Sequence, residues 1–218
     1  FKNVDHMHRV LDGPFGDRLS DAMSKYGIKS LGWYDAGSRS FYNNTKPITK
    51  PSDMKGMKFR VMNNELYVGM IAALGGNGTP MAFNEVYQSL KTGVVDGAEN
   101  NPPSYESTNH YEVAKYYSLS HHLIIPECLC VSTKAWDKLS SEDQAALKVE
   151  AAKSVAMQRE LWAAREAESR RIVEKAGVTF NEVEDSTAFS NAMKPVYEQA
   201  IKATPVLASY IEEIQSID

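Results

Sequence analysis

Residues 57–99 read as strand, helix, strand, helix, strand, joined by short glycine-bearing connections. No other feature of the chain restricts its fold as strongly. In "MKFRVM", Met57, Phe59 and Val61 alternate with Lys58, Arg60 and Met62, the period of two expected of a strand. From Asn64 the period lengthens: Leu66, Tyr67, Met70, Ile71 and Leu74 share one helical face, and Gly75-Gly76 stop it. "NGTPMAF" supplies a second short strand, a helix from about Asn84 to Thr92 closes at Gly93, and "VVDGAE" is a third strand. Such a βαβαβ run predicts an α/β fold with a mainly parallel sheet and right-handed crossovers.

Sheets of this kind collect ligands at the carboxyl ends of their strands, beside helix N-termini. Arg60 ends the first strand, directly before a helix that starts around Asn63-Asn64, which brings Asn63 into the candidate set. Phe83 ends the second strand. Glu99, Asn100 and Asn101 end the third, in the loop "GAENNPPSY". An acid and two amides can be turn chemistry, since asparagine tolerates unusual backbone angles and the prolines stop the strand. They also offer acceptors and donors to a polar small molecule. The planar fork of Arg60 suits a carboxylate, and a helix N-terminus adds partial positive charge. Its alternatives are an ordinary strand-face arginine or a pair with Glu99. Convergence of three strand ends on one edge favours anion binding.

Elsewhere the reading is coarser. Residues 5–26 are expected to be helical with a break at Gly13-Pro14, and 28–37 form a strand entering a glycine turn. "SFYNNTKPITKPSDMKG" reads as a proline-marked connector with a short extended piece; "YEVAKYYSLSHHLIIPECLCVST" is rich in β-branched and aromatic residues, and its "PECLCVS" reads as a strand. Ser140 is a good N-cap, with Asp143 completing a pattern like a capping box. From Ser141 to Ala176 there is neither proline nor glycine, and Gly177 supplies the stop. One helix of that length reaches roughly 54 Å and must lie across more than one compact body. "VTFNEV" is a further strand, and a final helix carries Tyr197, Ile201, Tyr210 and Ile214.

Composition narrows the function classes. Of 218 residues, 43% are hydrophobic and 24% charged, with a formal net charge of -4, which suits an ordinary soluble protein and argues against nucleic acid as a partner. No apolar run approaches the length of a membrane span. Cys128 and Cys130 lie two apart on a strand, a spacing unsuited to a disulfide, and the paired motifs of a zinc site are missing, so buried thiols are expected. His6 and His8 point to different faces of a helix and form no metal pair. There is no nucleophile elbow, P-loop, dinucleotide fingerprint or His-Glu-x-x-His. No metal or cofactor is expected. The opening "FKNVDHMHRVLDGPFGDRL" lacks the regions of a signal peptide, so any such leader is expected to be already gone.

The segment "DMKGMKFRVMNNELYVGMIAALGGNGTPMAFNEVYQSLKTGVVDGAENNPPSYES" closely resembles the signature region of the solute-binding proteins of tripartite ATP-independent periplasmic (TRAP) transporters. "WYDAGSRSF" upstream, and "HYEVAKYYSLSHH" and "WDKLSSEDQ" downstream, are similar to the same family and follow its order. The resemblance implies a two-lobe periplasmic-binding-protein-like α/β fold, a cleft, and a long helix across both lobes. Family members usually carry a further segment of lobe one ahead of the point where this chain starts, so lobe one is expected to be incomplete. Residues 1–36 would then be partial lobe one and 37–124 the ligand-binding βαβ region of lobe two. Residues 125–164 would return to lobe one, and 165–218 would complete the long helix and lobe two. The implied partners are a small organic acid and the subunits of a TRAP membrane permease. The implied location is periplasmic and the expected state a monomer.

Position by position, Arg60 in "KFRV" matches the arginine that clamps the ligand carboxylate, and Asn100 in "GAENNP" an amide that supports it. Phe83 in "PMAFNEVY" matches an aromatic lining the cleft, and Arg39 in "DAGSRSF" an arginine that contacts ligand in some members. Glu99, Asn100 and Asn101 could serve sugar hydroxyls, and an ionised Glu99 would repel a second carboxylate. "YDAGSRSFY" with "GAENNPPSYES" is more similar to members that bind hexuronates such as glucuronate and galacturonate. Arg39 speaks the other way, for a C4-dicarboxylate or another small acid, unless it bonds hydroxyls or pairs with Glu99. From other classes come an enzyme of unrecognised chemistry with a similar cleft, and a receptor subunit that presents ligand to a signalling partner.

Overall fold

The structure is a computed structural model that describes residues 1–218. One six-stranded sheet has the order β3-β2-β4-β1-β5-β6. Its strands are β1 (Ile28–Asn43), β2 (Lys58–Val61), β3 (Asn77–Pro80), β4 (Gly97–Asn100), β5 (Tyr116–Ser132) and β6 (Thr179–Glu182). β2 pairs in parallel with β3 and β4, and β5 with β6, whereas β1 runs antiparallel to β4.

The expected βαβαβ run is present. Asn64 caps the helix Glu65–Ala73 by accepting from the Leu66 N–H, and Met70, Ile71 and Leu74 are buried on its inner face. Leu66 departs from that face and is 46% exposed. The second helix, Val86–Thr92, follows a short 3-10 turn at Phe83–Glu85 and ends at Gly93, whose φ of 74° is the left-handed geometry of a helix stop. The third strand begins at Gly97 rather than Val94, which is exposed.

The chain falls into two compact units. Unit 1 comprises Phe1–Gly37, Ile124–Arg165 and Tyr210–Asp218; unit 2 comprises Ser38–Leu123 and Glu166–Ser209. Unit 1 has a core of Met7, Val10, Leu11, Phe15 and Trp33. Tyr210, Ile214 and Ile217 pack on that core, so the C-terminal segment belongs there and not with the second lobe, where the sequence reading keeps it. Unit 2 has two cores, one with Tyr42, Val86, Leu90 and Tyr105, the other with Phe41, Phe59, Val61 and Ile71. Neighbours Phe41 and Tyr42 feed different cores because successive strand residues face opposite sides of the sheet.

Three expectations need correction. β1 does not turn at Gly37; it runs on to Asn43, because Ser40–Asn43 pair with Gly97–Asn100. Gly37 takes a φ of 70° inside the strand, and its N–H is held at 2.6 Å by the Asp35 carboxylate. The single helix expected to carry Tyr197 to Ile214 is split in two; the C-terminal helices are Ser186–Ala192, Lys194–Ala203 and Leu207–Ser216. Pro205 ends the second of these by forcing Thr204 out of helical angles. Lastly, Cys128 is half-buried and Cys130 exposed, both free, so the thiols are not both core residues.

The breaker-free segment is one helix, Ser141–Lys175, of 35 residues. Ser140 Oγ accepts from the Asp143 N–H at 3.1 Å and donates to its carboxylate at 2.7 Å. Its residues through Arg165 belong to unit 1 and the rest to unit 2. No helix is long and apolar enough to cross a membrane.

Candidate functional site

The polar residues singled out at the strand ends all lie in unit 2. Arg60 sits on β2, opposite Thr79 of β3, and is 4% exposed. Its Nε and Nη2 both donate to the Met81 carbonyl, at 3.1 and 2.9 Å, which fixes the plane of the guanidinium. Its Cζ lies 5.6 Å from the Phe83 ring centroid, within cation–π range, and Phe83 is 44% exposed. Burial lowers the Arg60 pKa, and no carboxylate forms an ion pair with it. The alternative pairing of Arg60 with Glu99 is therefore not the one formed.

Glu99 pairs instead with Arg39 of β1. Arg39 Nε donates to Oε2 at 2.6 Å and Nη2 to Oε1 at 2.8 Å, a bidentate fork, while Nη2 also donates to the Glu99 carbonyl. Glu99 is fully buried, which by itself would raise its pKa. The hydrogen bonds and charge of Arg39, with the His122 ring nearby, outweigh burial and hold the carboxyl below its usual range. For Arg39 burial again opposes the charge and Glu99 overrides it, so its pKa is raised. Both Glu99 carboxylate oxygens thus face Arg39, and the side chain has no exposed surface.

Asn100 is oriented by the same arginine. Its Oδ1 accepts from Arg39 Nη1 at 2.8 Å and from the Asn101 N–H at 2.9 Å, and its backbone carbonyl accepts from the Tyr117 hydroxyl at 2.8 Å. With Oδ1 doubly occupied, the amide flip is set, and Nδ2 is left as a donor with no partner in the protein. Asn101 accepts from the Ser104 N–H through Oδ1 and so caps the short helix Pro102–Ser107. Asn63 is exposed in the bend between β2 and the helix Glu65–Ala73. The structure thus gathers Arg39, Glu99 and Asn100 into one bonded set, and Arg60 with Phe83 into another. Asn63 joins neither.

Sequence reasoning passed over three residues behind these sets. His122 stacks flat on Phe41, with ring centroids 3.9 Å apart, and its Nε2 lies 3.6 Å from Glu99 Oε2. His110 and Tyr42 share a hydrogen bond of 2.8 Å beneath Phe83. The available signal was slight: His122 is one of two adjacent histidines on a strand whose only carboxylate is Glu127.

The profile of bacterial extracellular solute-binding proteins, family 7, matches residues 1–203. A solute-binding protein of Chromohalobacter salexigens is 50% identical over 215 residues, 99% of this chain and 64% of the relative. The chain therefore spans under two thirds of that relative. A TRAP periplasmic solute-binding protein from Roseobacter denitrificans, solved with bound β-D-glucuronate, is 58% identical with a TM-score of 0.97, covering 100% of this chain and 72% of the other. One from Sulfitobacter sp. NAS-14.1, solved with bound β-D-galacturonate, is 58% identical with a TM-score of 0.93, covering 96% and 70%.

Proposed function

Since the chain belongs to family 7 of the bacterial extracellular solute-binding proteins, we propose that it is part of a periplasmic, non-catalytic binding protein for a hexuronate. Arg60 clamps the sugar carboxylate, and the protein hands its cargo to a TRAP-type membrane permease. The observation that carries this reading is the contrast between the two arginines. Arg39 is neutralised by Glu99, whereas Arg60 keeps its charge without an acid partner. A site with one uncompensated guanidinium suits a ligand with one carboxylate. A second carboxylate would face a cation already saturated and a buried anion beside it.

The remaining geometry supports the same chemistry. Nδ2 of Asn100 is a fixed donor, as an anionic or hydroxylated ligand requires. Phe83 offers an exposed ring face beside the guanidinium, a surface on which the C–H face of a pyranose can pack. Glu99 acts through Arg39 and not on the ligand. The bound glucuronate and galacturonate of the similar structures agree with this reading. Calorimetric titration of the full-length protein with glucuronate, galacturonate and succinate tests it. Binding of at least one uronate, with succinate much weaker, is expected; tight succinate binding without a response to either uronate would overturn it.

A further inference from the structure

Phe83 lies in a 3-10 turn of three residues, with 44% of its surface exposed, so its own backbone does little to hold the ring. Two neighbours do. The Arg60 guanidinium lies 5.6 Å from the ring centroid, and the His110 ring meets it edge-on at 5.8 Å, with the planes at 73°. His110 is 1% exposed, and its Nδ1 lies 2.8 Å from the Tyr42 hydroxyl. Tyr42 is packed in turn against Tyr105 at 4.6 Å, whose hydroxyl donates to the Ala114 carbonyl. A half-exposed ring at the candidate site is thus tied through His110 to the middle of a core cluster. Burial, with the Arg60 charge adding to it, pushes the His110 pKa down to about 4, so the imidazole is neutral near pH 7 and adds no cation beside Arg60.

We infer that His110, fixed by Tyr42, is a positioning residue that holds the Phe83 ring against the Arg60 guanidinium, whose plane the Met81 carbonyl fixes, and so sets where the aromatic wall stands beside the carboxylate-binding fork. The inference rests on the uronate reading above, and no ligand contact by His110 is needed. An imidazole suits the role because its edge can face a ring while Nδ1 keeps a buried hydroxyl satisfied. Asparagine in its place keeps a polar partner for Tyr42 and loses the edge. Phenylalanine keeps the edge and leaves the Tyr42 hydroxyl without a partner.

The test is a double-mutant cycle on the full-length protein, with the dissociation constant for D-glucuronate or D-galacturonate and the melting temperature both recorded. His110→Asn is expected to weaken binding roughly tenfold, within the coupling range of touching residues. In a Phe83→Leu background the same change should alter affinity less than about twofold, because the ring it positions is gone. His110→Phe should recover most of the affinity while melting at a lower temperature, a split that a purely structural role would not give. If His110→Asn does not fold, Tyr42→Phe is compared in the same two backgrounds with the same expectation. Equal losses with and without the Phe83 ring, or affinity unchanged in both, overturn the inference. If the unmodified protein binds neither uronate, the functional reading fails and this inference falls with it.

Discussion

Arg60 and Arg39 have the same side chain and opposite situations, and substitutions should separate them. Arg60→Lys replaces a planar fork, oriented by the Met81 carbonyl, with a point charge that cannot form two parallel, coplanar hydrogen bonds to a carboxylate. Binding of the preferred acid should weaken by about 2–5 kcal/mol, the usual cost of spoiling a buried charged contact. Calorimetry on the full-length protein is the measurement, and an affinity within about threefold of the unmodified protein would remove Arg60 as the clamp. Glu99→Gln acts first on stability. It leaves the buried Arg39 guanidinium without its counter-charge, a loss of about 3–5 kcal/mol in comparable buried pairs, to be read from denaturant unfolding. The pH sense follows from the lowered Glu99 pKa. Its contribution is complete above the unfolded carboxyl value, about 4.3, and is lost as pH falls through the folded value, so the variant should lack that acid-side loss. An unchanged acid limb in Glu99→Gln would contradict the pairing.

At the scale of elements, the amides of "GAENNPPSY" divide their labour: Asn100 presents a donor, and Asn101 caps the helix Pro102–Ser107. Asn101→Ala should therefore cost about 1 kcal/mol of stability, and Asn101→Ser or Asn101→Asp should recover most of it, as measured by chemical denaturation. Equal losses in all three would show that capping is not its contribution. What could be read from sequence here follows a physical line. The run from β2 to β4 was legible because strand alternation, the Asn64 cap and the stop at Gly93 are written in neighbouring residues. The helix Ser141–Lys175 was legible because its Ser140 cap and lack of breakers are equally local. The extension of β1 to Asn43 was not, since "SRSFYNN" is polar and becomes strand only by pairing with β4. Nor were the breaks among the last helices, where the apolar spacing of Tyr197 to Ile214 carries on across Pro205. The strand ends that carry the candidate site residues were legible, but the partners of those residues were not. Nothing in the chain order tells which arginine Glu99 will neutralise, or that His110 will sit beneath Phe83.

For the whole molecule, the histidines set a common direction. All five, His6, His8, His110, His121 and His122, have pKa values lowered chiefly by loss of hydration, with His6 and His110 fully buried and His121 exposed. Carboxylates near His8 and His122 pull the other way without reversing the shift. A buried histidine with a lowered pKa takes up its proton more readily in the unfolded chain, where the ordinary value is about 6.5. Between that value and the folded one, the unfolded state binds more protons, so stability falls as pH falls. For His110 the window runs from about pH 6.5 to about 4. Each such group contributes a slope of at most roughly 1.4 kcal/mol per pH unit inside its window. The protein should therefore lose stability steadily from about pH 7 downward, before the lowered carboxyls of Asp53 and Glu99 begin to titrate. The check is the denaturant midpoint at a series of pH values, compared with His110→Asn, which should flatten part of the decline between about pH 6.5 and 4. A midpoint that stays level from pH 7 to 5 would mean that the buried rings of His6 and His110 are not held neutral. The acid-side linkage would then rest on the lowered carboxyls of Asp53 and Glu99, because groups that titrate below the ordinary range cannot produce a decline that begins near neutrality.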